Sequence, residues 1–179
     1  VPLGTMLRFR DGASEIFAGD EIEGSTSGAM ATVLRVARQN GAWDGTASGL
    51  LIVEMIGSGN FDADENIEVD SVVVAQAVAE QESISLPPGG RYQFENYNFV
   101  GSSSGLRVYG VNGVGVGFEW DGNLFVPIFT GMDDDRPIRV AGHANHLFFA
   151  FRNGSLQHSS LGEPYEWNAV TGAAELGMG

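Results

Sequence analysis

The chain has 179 residues, enough for one ordinary domain or two small ones. It is 43% hydrophobic and 18% charged, with no apolar run near the roughly 18 residues a membrane helix needs. Cysteine is absent, which excludes disulfides, zinc–thiolate sites and thiol nucleophiles and leaves no redox compartment to read. The nine basic residues are all arginine and face 23 Asp plus Glu, for a net charge of −14. Such a surface repels phosphate backbones and anionic headgroups, so neither a nucleic acid nor a membrane is expected as a partner. Val1-Pro2-Leu3-Gly4 has no charged or long apolar leader region, and the first residue is not Met. A start processed or cut from a longer protein is expected.

In the N-terminal half two stretches rhyme: Phe17-Ala18-Gly19-Asp20-Glu21-Ile22-Glu23 and Phe61-Asp62-Ala63-Asp64-Glu65-Asn66-Ile67-Glu68. Between them Ser27-Gly28 and Ser48-Gly49 each read as a turn feeding a strand, over 29–36 and 50–55. Two loose copies do not make a repeat array, and a small β-barrel or curled sheet is expected. Residues 71–82 are ambiguous: Val72-Val73-Val74 favours strand, whereas the Ala/Gln/Glu tail tolerates helix. Leu86-Pro87-Pro88-Gly89-Gly90 then breaks regular structure. The expected division is a small β module over 1–83 and a β-meander over 84–179.

Asp-Gly at 11–12, 44–45 and 121–122, and Asn-Gly at 40–41, 112–113 and 153–154, mark hairpin turns, because these residues accept positive φ. In the C-terminal half they separate short apolar runs: 106–109, 114–120, 124–126, 146–151 and 155–159. A succession of antiparallel strands follows. On the strand from His146, Leu147, Phe149 and Phe151 share one face while Phe148 and Ala150 share the other. Apolar residues on both faces predict a sheet covered on both sides. The alternating glycines of Gly113-Val114-Gly115-Val116-Gly117 leave one strand face bare for close packing and miss dinucleotide spacing.

Candidate chemistry is thin. Gly101-Ser102-Ser103-Ser104-Gly105 matches the nucleophile-elbow pattern, but a strand, not a helix, is expected next, so a flexible loop is the better account. Asp62, Asp64 and Asn66 have calcium-loop spacing, yet Ile67 stands where glycine is needed and Val73 where a bidentate Glu belongs. Asp133-Asp134-Asp135 reads as a solvated acidic loop, with a looser calcium site as the rival. His143 and His146 lack a positioned acidic third ligand, and His158 lies on the next strand, so no metal is expected. Glu119 with Asp121, or Glu163 with Glu166, would need to converge across a cleft to act as a glycosidase pair, and neighbouring positions do not show that.

Phe118-Glu119-Trp120-Asp121-Gly122, His146-Leu147-Phe148-Phe149-Ala150, Gly154-Ser155-Leu156, His158-Ser159-Ser160 and Gly162-Glu163-Pro164-Tyr165-Glu166-Trp167 together resemble β-propeller blades of bacteriophage virion proteins, of the tail hub, nozzle or stabilisation type. Ile22-Glu23-Gly24-Ser25-Thr26-Ser27-Gly28-Ala29 resembles a small β module of phage structural proteins. A blade needs about 40–50 residues, so at most two fit here and the chain cannot close a propeller alone. The Ser-rich segment also resembles sialidase Asp-box turns, but the aspartate is missing and that activity is not carried over.

The resemblance implies a mainly-β chain in which a small N-terminal β-barrel-like module precedes antiparallel β-propeller-like blade strands. It implies a non-enzymatic viral structural protein, located in the virion and without cofactor. Its partners would be other virion proteins or copies of itself, met through Phe148, Phe149, Trp167 and Trp120. One rival is a tailspike-like glycan-binding or glycan-cleaving domain, which predicts an exposed Trp43, Trp120 or Trp167 beside paired carboxylates. The other is a secreted calcium-binding β module.

Overall fold

A computed structural model describes residues 3–169 and 173–177. Strand accounts for 49% of the chain and helix for 2%, so the protein is mainly β, as its turn-rich sequence predicts. It divides into two compact units, one ending at Ser85 and the other beginning at Leu86.

The first unit holds β1 (Thr5–Gly12), β2 (Glu21–Gly24), β3 (Met30–Asn40), β4 (Ala47–Ile56), β5 (Asn66–Val69), β6 (Val72–Ala77) and β7 (Glu82–Ser83), all in one antiparallel sheet, sheet A. β1 pairs with β4 along one edge and with β6 and then β7 along the other. The pairings therefore run β1–β4–β3–β2–β5–β6 and return to β1. Alternation sends Leu7, Phe9, Ile22, Val33, Leu51, Val53 and Ile67 into a common core, which Phe61 joins from the loop before β5, and Trp43 stacks on Phe9 with ring centroids 5.3 Å apart.

Two local expectations are corrected in this unit, and one open reading is resolved. Asp11-Gly12 is not a hairpin turn: Asp11 has φ 53, and the register shifts between Phe9 and Gly12, which makes a bulge in β1. Ser48-Gly49 lies inside β4, where a glycine is needed because a Cβ at Gly49 would strike the Ala37 carbonyl of β3. The ambiguous segment after Asp70 is a strand, and the β-branched run has its expected effect over Val72–Ala77.

The second unit holds two four-stranded antiparallel meanders. Sheet B comprises β8 (Gln93–Asn98), β9 (Leu106–Val111), β10 (Gly117–Trp120) and β11 (Phe125–Ile128); a short 3₁₀ turn, Ser103–Gly105, precedes β9. Sheet C comprises β12 (Arg139–His143), β13 (His146–Ala150), β14 (Ser155–His158) and β15 (Ala174–Gly177). Asn112, Asp121 and Asn153 each turn the chain by the same device: the side-chain oxygen accepts backbone N–H bonds two or three residues on. The glycine that follows each takes positive φ. The predicted strand over 114–120 begins only at Gly117, because the Asn112 amide holds Val114 and Gly115 in a loop.

The two sheets pack face to face. Tyr109, Val111 and Ile128 of sheet B meet Leu147, Phe149 and Phe151 of the sheet C hairpin in one core. Gly117 lies under the Phe149 ring and Gly142 under the Tyr97 ring, so any side chain there would hold the sheets apart. The Tyr97 hydroxyl accepts the Asn145 N–H at 2.9 Å, which ties the β12–β13 turn to sheet B. Pro127 sits in β11, an edge strand, which is where a residue without an N–H is tolerated.

Candidate functional site

The four residues expected to meet partners fall in three different environments. Phe149 has no accessible surface: it stacks on Trp167 at 4.8 Å, inside the core between sheets B and C. Trp167 is half-buried, and its indole N–H donates to the Pro164 carbonyl at 3.0 Å. Phe149 is therefore a core residue of the second unit and Trp167 packs against that core, because the inward face of β13 is covered by sheet B. Phe148 lies half-buried on the opposite face of β13, beside His146 and His158. Trp120 is exposed.

Trp120 belongs to a larger surface that the sequence did not single out. Cross-strand registers align Phe94 with Gly110, Gly110 with Phe118 and Phe118 with Pro127, and Trp120 with Phe125. Because Tyr109 and Glu119 face inward, alternation turns Phe94, Phe118, Trp120 and Phe125 to the outer face of sheet B. Phe118 and Phe125 cover each other at 4.5 Å, and Tyr92 stacks on Phe94 at 5.7 Å. The outermost side chains remain open to solvent: Phe94 61%, Leu106 57%, Trp120 45% and Tyr92 39%. Sheet B is thus apolar on both faces, and only one face is packed against sheet C.

On the inward face the polar groups are satisfied locally. The Tyr109 hydroxyl donates to Glu119 Oε2 at 2.8 Å, and Arg107 Nε lies 3.5 Å from Glu119 Oε1. Burial, together with the neighbouring carboxylate that accepts its proton, holds the Tyr109 phenol far above the ordinary tyrosine range. This places a neutral phenol against a buried carboxylate, an arrangement that anchors a core. Glu119 and Asp121 do not form a glycosidase pair, since Glu119 points inward and Asp121 Oδ1 caps its own turn.

The other acidic and histidine candidates are also accounted for. Asp135 accepts from the Thr130 N–H and hydroxyl, each at 2.8 Å; burial raises its pKa while those bonds lower it, and burial prevails. Asp134 pairs with Arg136, which lowers its pKa. His146 and His158 both turn Nδ1 to the Ser159 carbonyl, at 2.7 and 2.9 Å. A carbonyl only accepts, so both rings carry their proton on Nδ1. Among the described residues no three His, Asp or Glu side chains gather as a metal-holding group.

In the first unit the calcium-like spacing has a different meaning. Glu65, between Asp64 and Asn66 of the three residues with calcium-loop spacing, is buried and accepts five bonds. The donors are the N–H groups of Thr26, Ser27 and Asp62 and the hydroxyls of Thr26 and Ser27, at 2.7–3.0 Å. Burial alone would raise its pKa, but these bonds outweigh it and bring the pKa to about 2. One carboxylate thereby fastens the β2–β3 turn to the loop before β5. Trp43 is half-buried and stacked on Phe9 in the same unit, so Trp120 is the one exposed tryptophan of the three.

No protein-family model matches this sequence, and comparison with curated proteins gives no match.

Proposed function

We propose that the chain is a non-enzymatic structural component of a bacteriophage particle, part of its tail, that works by assembly with copies of itself or with other virion proteins. In this reading the circuit of pairings in the first unit is a small barrel, and the two meanders of the second unit are adjacent propeller-like blades. The virion assignment rests on the resemblance of the blade-like and Ser-Gly motifs, and the blade reading is favoured by two successive meanders packed face to face.

One observation carries the assembly reading: the outer face of sheet B presents Tyr92, Phe94, Leu106 and Trp120 to solvent over a buried Phe118–Phe125 pair. Isolated soluble proteins seldom leave a contiguous apolar face of more than a few hundred Å² uncovered. Covering each large ring contributes on the order of 2 kcal/mol before ordering costs. The acidic surface keeps unassembled chains apart and away from packaged nucleic acid.

Sedimentation of the whole chain tests this, alone and mixed with purified particle proteins. Concentration-dependent association that Phe94→Ser with Trp120→Ser removes is the expected outcome. A chain that stays monomeric in both settings, or associates equally well with both substitutions, overturns the reading. Phe149→Ser is not an informative partner test, because it opens the core.

A further inference from the structure

We infer that the second unit carries a binding site for a small multivalent oxyanion, formed by Arg91, Arg139 and Arg152 around one cavity. The cavity measures about 270 Å³ and is lined by these three arginines with Asn112 and Ile138. No carboxylate lines it among the described residues. That is unexpected by composition, since the chain has only nine arginines and 23 acidic residues. Elsewhere, Arg8, Arg10, Arg107 and Arg136 each meet a carboxylate. Three arginines lining one cavity without a carboxylate concentrate positive charge there, which a bound anion offsets.

The backbone holds the three arginines in place. The Arg91 N–H donates to the Asn112 carbonyl at 3.1 Å, and the Gly113 N–H donates to the Pro137 carbonyl at 2.9 Å. The Ile138 N–H donates to the Ala150 carbonyl at 2.8 Å, so the start of β12 is fixed to the end of β13, two residues before Arg152. A Cβ on Gly113 would lie 3.1 Å from the Arg152 guanidinium, which places that group over the bare glycine backbone. Asn112 is buried, and its side-chain oxygen is occupied by the Val114 and Gly115 N–H groups, so the cavity floor is rigid.

The side chains themselves have donors to spare. Arg139 Nη1 donates to the Ile138 carbonyl at 2.9 Å, leaving the rest of its planar fork for a ligand. Asp134 interacts electrostatically with Arg152 but is paired to Arg136. Several arginine forks lining one cavity suit a tetrahedral phosphoryl or sulfuryl group, or a polycarboxylate, better than a monovalent ion. The ligand is either a free ion or the same group carried on a glycan.

The test uses the whole chain, titrated with inorganic phosphate and with a sulfated disaccharide at ionic strength matched by chloride. Saturable binding is expected, with a rise in Tm on the order of 5 °C at a hundredfold excess over Kd. Arg91→Gln with Arg152→Gln, both exposed, should weaken binding at least about tenfold without lowering Tm in ligand-free buffer. Arg10→Gln, in the other unit, should leave binding unchanged. Tighter binding of the disaccharide would assign the group to a glycan, and tighter binding of phosphate to a free ion. Failure of both ligands to saturate, or equal binding by the double variant, overturns the site. Neither result bears on association through the outer face of sheet B.

Discussion

Glu65 shows how one side chain can decide a loop's structure. Its carboxylate replaces water for five donors drawn from two segments, around Thr26 and at Asp62, that are 36 positions apart in sequence. Because its pKa falls from 4.5 to about 2 on folding, it stabilises the chain by on the order of 3 kcal/mol above pH 4.5, and that contribution is lost as pH falls toward 2. Glu65→Gln replaces one acceptor oxygen with an NH₂ that faces other donors, so a comparable loss at neutral pH is expected. Urea denaturation at pH 7 and near pH 2.5 checks this. The natural chain's midpoint should fall across that interval more steeply than the variant's, and parallel falls would contradict the role assigned to Glu65. The sequence does not announce this residue: its neighbours Asp62 and Asp64 have the more conspicuous spacing, while its donors Thr26 and Ser27 lie in the preceding turn.

At the scale of strands and turns, what was legible depended on whether the signal is local. Asn112-Gly113, Asp121-Gly122 and Asn153-Gly154 were readable because the acceptor side chain and the positive-φ glycine are adjacent. Two further hairpin turns were not, since Asp70-Ser71 and Ala144-Asn145 adopt positive φ at both positions without any glycine. Ala144, at φ 48, has the least local compensation, as it has no side-chain polar group. Ala144→Gly should therefore raise stability by about 1 kcal/mol, read as an upward shift in Tm, whereas an unchanged or lowered Tm would place the strain elsewhere. The core faces of β13 were correctly separated by alternation, with Leu147, Phe149 and Phe151 buried together. What alternation could not tell was what covers each face: Phe149 and Trp167, expected at an assembly interface, pack in and against the core between sheets B and C of the same chain. The arginine cavity was equally hidden: its residues are scattered from 91 to 152, and backbone bonds tie the turn after β9 to Arg91 and to Pro137, and Ile138 in turn to the end of β13.

For the whole molecule, the position of Pro127 limits how copies can add to one another. In an antiparallel pair each residue either exchanges both backbone bonds with its neighbour or turns both groups away, and a proline fits only the second kind. Pro127 therefore directs its nitrogen to the open side of β11, where an incoming strand would find no hydrogen to accept. In a strand of four residues, that removes a central rung of any continued ladder. Replacing Pro127 with Val should restore the rung and raise fibril formation on agitation, followed by thioflavin fluorescence; no increase would show the edge to be blocked by other means. Growth by adding strands has no natural end, whereas growth by covering a face stops when every face is covered. On the assembly proposed above, a proline on the rim of sheet B thus favours a body of fixed size over a thread.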